Sequence, residues 1–424
     1  MAPPALHVAF ALAINIVTIV AEEPFQVIWH APTEDKWGCG QKYHIDIDYA
    51  SYDLTLNTAP GSDGWYKGDV ITIMYVDELW PHLKGSDNFA DDYERVYGGL
   101  PQSGDIDADF DRLAKLIEEK IPNKEFAGLA VLDFEKWRPL YDWNFKNGIL
   151  GRYQRISRKK VEEDRKGENL SAEEIEDIAR QEFDDAARSY FEGALIMAKG
   201  MRPNAKWGYY IYPLCNSPNL ERTCKDISYD AIKKLKWMVD ASGALFPSAY
   251  FEEHMSVREQ RPYIYGANSI SLDWVKMSND TSKPIYTYNA IVKPMSQYGP
   301  KFIFYDREAL VNGIGICADM GMNGVPMWGN GNLRNRTAAC EEVKEWVEGT
   351  FGPYVKRVVE FTKKCSEDLC SSQGRCYKEN IEKDSDKVDY SAESSHVYDA
   401  DKVKEEYKCR CYEGWKGDSC DQQV

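Results

Sequence analysis

Residues 128–139 read GLAVLDFEKWRP, an apolar run that ends in two carboxylates, Asp133 and Glu135. Side chains in a strand alternate between its two faces, so these carboxylates point the same way and Phe134 points the other way. In a parallel (β/α) barrel, the ends of the strands at the C-terminal face carry the active site. This stretch therefore predicts a barrel strand that presents two acids at an active site.

The rest of the chain alternates strand-like and helical patterns from about residue 23 to residue 354, which is typical of a parallel α/β fold. The strand-like segments are FQVIWHA, VITIMYV, FAGLAVLDFE, KWGYYIYPLC, GALFPSAYF, SKPIYTYNAIV and GIGICADMGMNGVPMW. The helical segments are DADFDRLAKLIEEKI, SAEEIEDIARQEFDDAARSYFEGALIMAKGM and TAACEEVKEWVEGTFGPYVKRVVEFTKK. A (β/α) TIM-like barrel accommodates so many repeats in one domain, whereas a doubly wound sheet is disfavoured because no Gly-x-Gly-x-x-Gly turn follows an early strand.

The chain is acidic, with a formal net charge of −17 over 424 residues. This charge disfavours nucleic acid and anionic membranes as partners, although a local basic groove can still bind a polyanion. The segment 152–185 has a basic start and an acidic continuation. It predicts a long solvated helix, with the alternative that the basic part holds an acidic substrate chain.

The N-terminus has an apolar stretch from about Val8 to Ala21, which predicts a secretory signal over residues 1–21. An uncleaved anchor stays open, because Lys and Arg are absent before the stretch and Ile19 is a mediocre cleavage residue. The sequons at Asn169, Asn279 and Asn335 also fit a secreted glycoprotein. We therefore expect an extracellular protein without obligate membrane contact.

Eleven cysteines in such a chain indicate disulfides, and six of them lie near the C-terminus. The spacing Cys365-x4-Cys370-x5-Cys376 and then Cys409-x-Cys411-x8-Cys420 resembles an EGF-like module. The resemblance implies the pairs Cys365–Cys376, Cys370–Cys409 and Cys411–Cys420, although spacing alone leaves other connectivities open. We expect a barrel over residues 22–360, the module over 361–424, and an exposed charged loop between Cys376 and Cys409.

The acid pair suggests a reaction class. Two neighbouring carboxylates at the partly buried end of a barrel repel each other when both are ionised. The pKa of one of them should therefore rise, which leaves a proton donor near neutral pH. Glycoside hydrolysis needs such an acid to protonate the leaving oxygen. A purely structural alternative stays open, in which the acids cap the next helix or pair with Lys136 and Arg138.

Aromatic side chains stand at the ends of several strand-like segments. Sugar rings stack on aromatic planes, and phenol hydroxyls hydrogen-bond hydroxyl or acetamido groups. Each such residue also fits a core position, but their coincidence after the acid pair favours a carbohydrate site. These aromatic residues are Tyr209, Tyr210, Tyr212, Tyr250 and Trp328.

Other chemistries lack their sequence signals. The six histidines show no His-Glu-x-x-His or similar spacing, and no Gly-x-Ser-x-Gly elbow or Gly-x-x-x-x-Gly-Lys loop is present. We therefore expect no metal and no cofactor. Cys317, in the apolar GIGICADMG, predicts a buried free thiol rather than a nucleophile.

Several motifs together resemble the hyaluronidase family of animals and venoms, over nearly the whole mature chain. The motifs are GLAVLDFEKWRP, WGYYIYPLC, ALFPSAY, YGGLP at 97–101, the spacing of Trp328 to Cys340, and the EGF-like cysteines. The resemblance implies a distorted (β/α) barrel with a wide groove and an endo-β-N-acetylhexosaminidase that acts on hyaluronan or chondroitin. It also implies a retaining, substrate-assisted mechanism without metal. The partner is then a glycosaminoglycan substrate, and we expect a monomer.

The resemblance assigns roles to the site residues. Glu135 matches the general acid that later activates water, and Asp133 matches the residue that holds the substrate acetamido group. The acetamido oxygen is the nucleophile, so the usual two-carboxylate separation does not apply. Tyr210, Tyr250 and Trp328 match residues that line the cleavage subsite.

The resemblance also concerns an arginine, the remaining cysteines and a groove loop, none of which is expected to take part in the chemistry. Arg138 matches a family arginine of the substrate-binding site near the acid pair, which we expect to be structural rather than catalytic. The resemblance pairs Cys39 with Cys340 and Cys215 with Cys224, and so leaves Cys317 odd. Where the family has Tyr-Pro-Tyr in a groove loop, this chain has Trp80-Pro81-His82. Trp80 is then predicted to stack a sugar without the phenol hydroxyl.

Three other activities are alternatives to hydrolysis of hyaluronan or chondroitin. A barrel that grips a glycosaminoglycan without cutting it is disfavoured, because the acids and aromatics are intact. A chitinase is disfavoured because Leu129 and Val131 stand where its acid series would continue. A polysaccharide lyase differs in its product, an unsaturated uronate.

Overall fold

The computed structural model describes residues 23–34, 36–57, 67–85, 93–144, 150–214, 233–383, 385–391 and 395–424. The predicted signal over residues 1–21 and the predicted pair Cys215–Cys224 lie outside these ranges. Within them, no helix is both long and apolar enough to cross a bilayer.

The described residues form fourteen strands and eleven α-helices. The strands are β1 Gln26–His30, β2 Thr55–Leu56, β3 Ile71–Tyr75, β4 His82–Lys84, β5 Glu94–Val96, β6 Leu129–Asp133, β7 Lys206–Ile211, β8 Phe246–Pro247, β9 Asn289–Ala290, β10 Gly324–Trp328, β11 Gly374–Lys378, β12 Tyr407–Cys411, β13 Trp415–Lys416 and β14 Gln422–Gln423. The helices are α1 Cys39–Tyr43, α2 Ile106–Lys120, α3 Gly151–Asp164, α4 Ala172–Met201, α5 Lys236–Ala241, α6 Val257–Met277, α7 Arg307–Leu310, α8 Ile316–Asp319, α9 Thr337–Trp346, α10 Gly352–Leu369 and α11 Ala400–Glu406.

Parallel strands build the barrel predicted from the sequence. One sheet has the order β2-β1-β10-β9 and the other β3-β6-β7-β8. Isolated parallel bridges from Leu245 to Ile285 and from Ser248 to Tyr288 join the two sheets. Side chains from opposite parts of this array, including Ile28, Ile73 and Val131, share one buried interior cluster. The strands therefore curve around a common core, and the prediction of a (β/α) barrel is confirmed.

The packing of strand β6 explains which way the side chains of GLAVLDFE point. Leu129 and Val131 pack in the barrel interior, and Ala130 and Leu132 pack in the larger core that the helices cover. All five residues of the strand are buried. Alternation then directs Asp133 to the inner face at the C-terminal end of the strand.

The charged segment 152–185 forms two helices, α3 and the start of α4, rather than one. A capping box between Ser171 and Glu174 begins α4. The basic side of α3 is not solvated as predicted. Arg152 is buried and donates to the backbone oxygen of Gly85 at 2.6 Å, and Arg158 lies 2.9 Å from Glu176. These two arginines therefore make contacts within the protein and do not form a solvated surface.

The predicted strand GIGICADMGMNGVPMW is only partly correct. Its last part is β10, but residues before it form a π-helical turn, Val311–Gly315, and then α8. A short, wholly apolar run cannot be assigned to strand or helix by periodicity, because both are buried on every side.

The disulfides of the structure are those that the resemblance implied for the described cysteines. Cys39–Cys340 joins α1 to α9, and the C-terminal region contains Cys365–Cys376, Cys370–Cys409 and Cys411–Cys420. Strands β11 and β12 form an antiparallel hairpin there. Helix α10 crosses residue 361 without a break, so the proposed boundary between barrel and module stays a prediction.

The stretch between Cys376 and Cys409 was expected to be an exposed charged loop, and most of its described residues are exposed. Some of its side chains nevertheless contact the barrel. The Tyr390 hydroxyl donates to Asn312 at 3.1 Å, and Nε2 of His396 lies 3.3 Å from Oδ1 of Asp319. These contacts fasten the stretch to the barrel helices. The sequon residues Asn169, Asn279 and Asn335 are exposed, and their glycosylation stays a prediction.

Candidate active site

The ends of four barrel strands, the adjacent β3, β6 and β7 of one sheet and β10 of the other, bring the predicted site together. Asp133 ends β6 and lies directly across from Tyr75, the last residue of β3. Tyr210 is near the end of β7, and Trp328 ends β10. Because all these strands are parallel, their carboxyl ends open at one face of the barrel.

The two acids differ in exposure. Asp133 is 7% exposed, whereas 44% of the Glu135 side chain is accessible. Burial raises the pKa of Asp133 well above its ordinary value, and the negative charges of Glu135 and Asp77 raise it further. Burial also raises the pKa of Glu135, against the lowering effect of Arg138. The pair therefore retains a proton more readily than free carboxyls do, and Glu135 is the member that a substrate can reach.

Asp77 is a third carboxylate at this site, and sequence reasoning missed it. Its Oδ1 accepts a 2.8 Å hydrogen bond from the backbone N–H of Glu135. Its Oδ2 lies 3.8 Å from Nζ of Lys136. The rule used for Asp133 also applies to the end of the strand VITIMYV, which Asp77 follows. That signal would have found it.

The side chain of Arg138 contacts Glu135 and is largely shielded from solvent. The residue is 9% exposed, its Nη2 lies 3.7 Å from Oε2 of Glu135 and its Nη1 donates to the Glu135 backbone oxygen at 3.3 Å. Its backbone N–H donates to Oδ1 of Asn144 at 2.9 Å. Arg138 thus orients Glu135, which agrees with its expected structural role.

Aromatic rings form a wall beside the acids. Tyr250 stacks on Trp328 with ring centroids 6.3 Å apart and planes 22° apart. Nε1 of Trp328 donates to the hydroxyl of Tyr75 at 3.2 Å. The Tyr210 ring lies 6.3 Å from that of Tyr250. The predicted residues Tyr210, Tyr250 and Trp328 therefore meet in one partly exposed surface, to which the structure adds Tyr75.

Buried polar contacts support this wall from below. The hydroxyls of Tyr210 and Ser248 lie 3.1 Å apart. The Tyr288 ring meets the Tyr210 ring edge-on at 5.3 Å, and the Tyr288 hydroxyl is 3.2 Å from Nδ1 of His30. Tyr288 and His30 were not singled out in the sequence, because their strands read as ordinary core.

Trp80 does not stack a sugar in this structure, and that prediction is wrong. Its side chain is fully buried, with its ring 4.8 Å from Phe134 and 5.4 Å from Tyr190. Tyr209 and Tyr212 are likewise core residues, each 2% exposed. Alternation explains Tyr209, because its neighbour Tyr210 takes the inner face of the barrel.

The described ranges hold no cluster of three or more His, Cys, Asp or Glu side chains suited to a metal ion. Cys317 is a buried free thiol. Burial raises its pKa to about 12, so it stays protonated near neutral pH.

Comparison with known proteins agrees with this geometry. The profile of the hyaluronidase family, a glycoside hydrolase family, matches residues 15–424. The chain belongs to the hyaluronidase family. Similar family members include the hyaluronidase of Crotalus adamanteus, 30% identical over 94% of this chain and 90% of that protein. Hyaluronidase-1 of Sus scrofa is 27% identical over 96% of this chain and 94% of that protein.

A solved hyaluronidase shares the fold. Bee venom hyaluronidase in complex with a hyaluronic acid tetramer superposes with a TM-score of 0.68 at 25% identity, covering 79% of this chain and 99% of the other. The predictions of a glycoside hydrolase and of a TIM-like hyaluronidase fold are confirmed.

Proposed function

We propose that this protein is an endo-β-N-acetylhexosaminidase that hydrolyses the β-1,4 linkages of hyaluronan or chondroitin. The observation that carries the proposal is the pair Asp133–Glu135 at the barrel mouth, beside the stacked wall of Tyr250 and Trp328. The family relationship supports the substrate class, because bee venom hyaluronidase is known in complex with a hyaluronic acid tetramer.

The first step needs a proton for the leaving oxygen. Glu135 is accessible and its pKa is raised, so its carboxyl group donates that proton as the glycosidic C–O bond breaks. The carbonyl oxygen of the substrate acetamido group attacks the anomeric carbon from the other side. This attack forms an oxazolinium ion, and the sugar itself has then supplied the nucleophile.

Asp133 is placed to assist that attack. It is nearly buried, whereas Glu135 is exposed, so Asp133 is poorly placed to attack the anomeric carbon itself. Its carboxyl group accepts a hydrogen bond from the acetamido N–H and so stabilises the positive charge that develops on the amide. The hydroxyl of Tyr250 donates to the acetamido oxygen, and Trp328 packs under the sugar.

The second step returns the acid to its starting state. Glu135, now a carboxylate, removes a proton from a water molecule that attacks the anomeric carbon. The oxazolinium C–O bond breaks and the acetamido group is restored. Two displacements at the same carbon give net retention of configuration.

The extracellular location is also part of the proposal. Four disulfides are present among the described residues, and such bonds persist in oxidising compartments. The similar solved structure is that of a venom protein, bee venom hyaluronidase, which is consistent with this location.

The decisive experiment sizes the products from purified hyaluronan and chondroitin in parallel. We expect oligosaccharides with N-acetylhexosamine at the reducing end, formed first as the β anomer, and no unsaturated uronate. Products with unsaturated uronate would establish a lyase instead. Tight binding with unchanged polymer length after long incubation would establish a non-catalytic binding protein.

A further inference from the structure

A second charged cavity lies at the opposite face of the barrel from the acid pair. Its volume is about 200 Å³, and it lies between the starts of barrel strands and the hairpin of β11 and β12. Lys206 begins β7 and Asn323 directly precedes β10, and both line it. Strand starts face away from the end that carries Asp133, so this cavity is separate from the proposed hydrolytic site.

The lining of the cavity is basic although the protein is acidic. Five basic side chains and two acidic side chains line it, in a chain whose net charge is −17. One of the two acids, Asp280, already forms an ion pair with Lys283 at 3.6 Å. The basic residues are Lys206, Lys276, Lys283, Arg375 and Arg410, and the other acid is Glu413.

The two arginines lie directly across from each other in the hairpin, Arg375 on β11 and Arg410 on β12. Like charges in this position destabilise a strand pair. Each guanidinium is held by a ring, with Arg375 4.8 Å from the Tyr412 ring and Arg410 5.1 Å from the Tyr377 ring. Stacking of this kind fixes the plane of a guanidinium group, so its N–H donors have a defined direction in which to bind an anion.

Positive charge in the cavity is incompletely neutralised by the protein. Arg410 donates to the backbone oxygen of Gly321 at 2.9 Å. In the part of the chain that the structure describes, no carboxylate lies within ion-pair distance of Arg410 or Lys206. Burial and the neighbouring charge of Arg375 lower the pKa of Arg410 to about 10. An anion in the cavity would remove this repulsion.

We propose that the cavity binds a single tetrahedral oxyanion, held by Arg375 and Arg410 from the module and by Lys206 from the barrel. A volume of about 200 Å³ is below the roughly 300–1,000 Å³ of pockets that enclose whole organic ligands, so it accepts one group rather than a sugar. Basic groups approach from both walls, and a tetrahedral anion offers four oxygens where a carboxylate offers two. The oxyanion is inorganic sulfate or phosphate, or a sulfate ester on a polysaccharide at the cavity mouth.

The test is titration calorimetry of the full-length protein with sodium sulfate, at ionic strength held constant with sodium chloride. We expect one sulfate per chain. Arg410→Gln should weaken its affinity roughly tenfold to a hundredfold, as expected for loss of one charge-assisted hydrogen bond. Because Arg410 is partly buried, Lys206→Gln provides a second, exposed variant with the same expected direction. Lys416→Gln, an exposed change in the same module, should leave the affinity unchanged.

Two oligosaccharide probes distinguish the sources of the anion. A tetrasaccharide of chondroitin 4-sulfate and its unsulfated counterpart are titrated into the same variants. A loss of affinity in Lys206→Gln for the sulfated form alone identifies a polysaccharide source. If Lys206→Gln lowers the affinity for inorganic sulfate alone, the bound anion is a free ion. Either result supports the site.

The proposal is overturned if neither Lys206→Gln nor Arg410→Gln changes the affinity for any probe. It is also overturned if Lys416→Gln lowers the affinity as much as they do. Glu135→Gln should bind sulfate as the wild type does, so a failure of the hydrolytic proposal is visible separately.

Discussion

The backbone N–H of Glu135 donates a 2.8 Å hydrogen bond to Oδ1 of Asp77, which lies 58 residues earlier in the chain. The contact connects the segments that follow two adjacent strands, β3 and β6. It fixes the backbone of the proposed acid and places a third negative charge beside the pair. That charge contributes to the raised pKa of both Asp133 and Glu135. Asp77 is therefore expected to influence the pH dependence of the enzyme.

We predict that Asp77→Asn shifts the alkaline limb of the kcat/KM profile to lower pH. The asparagine oxygen still accepts the hydrogen bond from Glu135, but the negative charge is lost and the pKa of Glu135 falls. A general acid is active in its protonated form, so a lower pKa reduces activity first on the alkaline side. Rates of hyaluronan cleavage measured across the pH range should therefore fall several-fold more near neutral pH than in acid.

Two further variants separate charge from geometry at Asp77. Asp77→Ala loses the acceptor as well, so it should lower kcat at every pH. Glu78→Gln removes a neighbouring charge that pairs with Lys136 at 3.1 Å, and it should leave the limb in place. An unmoved alkaline limb in Asp77→Asn would contradict the role of the charge.

Glu135→Gln should fold normally and lose most of its activity. The side chain is exposed, and its closest ion pair is the 3.7 Å contact with Arg138, so little stability depends on it. General acid catalysis contributes roughly 10² to 10⁴ in rate, and we expect a loss of that size in the rate of polymer shortening. Wild-type turnover by this variant, with an unchanged melting temperature, would exclude the mechanism.

The barrel and the acid pair were predictable because their signals are local. The alternation in GLAVLDFE places Asp133 and Glu135 on one face of the strand without knowledge of any other strand. The structure adds that Val131, on the same face, packs in the barrel interior. Tyr210, Tyr250 and Trp328 could be proposed because each ends or follows a strand-like run. The same rule would have identified Tyr75 and Asp77 at the end of VITIMYV.

Other features depend on contacts distant in sequence. Helix α6 was not predicted, because Pro262 lies inside it and its polar residues include the buried Asn268 and Ser271. Proline and polar residues weaken a helical pattern, but tertiary packing stabilises the helix. Trp80 follows a strand near the site, yet only the three-dimensional structure reveals that its ring points into the helix-covered core.

Trp80→Ala should therefore reduce stability rather than substrate binding. The ring is fully buried against Phe134 and Tyr190, and truncation of such a residue costs about 3–5 kcal/mol in the free energy of unfolding. Denaturant unfolding measures this loss. Trp37→Ala, at a residue that is 57% exposed, should change stability by no more than about 0.5 kcal/mol. A raised KM with wild-type stability in Trp80→Ala would restore the sugar-stacking prediction.

Tyr250→Phe tests the proposed contact with the acetamido group. Phenylalanine keeps the stacking on Trp328 but lacks the hydroxyl, so kcat/KM should fall roughly tenfold to a hundredfold. We expect most of the loss in kcat, because the hydrogen bond holds the acetamido oxygen in line with the anomeric carbon that it attacks. Tyr52→Phe is the matched control, since it removes a hydroxyl that bonds the backbone oxygen of Glu348 at 3.2 Å. Equal losses in the two variants would argue against the contact.

Asp319→Asn should loosen the attachment of the C-terminal region. Asp319 is 14% exposed, it lies 3.3 Å from His396, and Tyr407 donates to it at 2.6 Å. Burial raises its pKa, but His396 and the hydrogen bonds outweigh this and hold the pKa far below the ordinary value of 3.8. Because breaking a buried ion pair costs several kcal/mol, we expect a loss of about 3 kcal/mol in the free energy of unfolding at pH 5.

The pH dependence of that loss is a separate check. A carboxyl whose pKa is lowered on folding stabilises the protein fully above its unfolded pKa, and this stability is lost as the pH falls toward the folded value. The difference between wild type and Asp319→Asn should therefore persist at pH 5 and narrow below the ordinary value of 3.8. Asp368→Asn removes an exposed carboxylate that also accepts from a tyrosine, Tyr398, at 2.5 Å, and it should have a much smaller effect at pH 5. A difference for Asp319→Asn that widens in acid would show that the carboxylate is not the stabilising form.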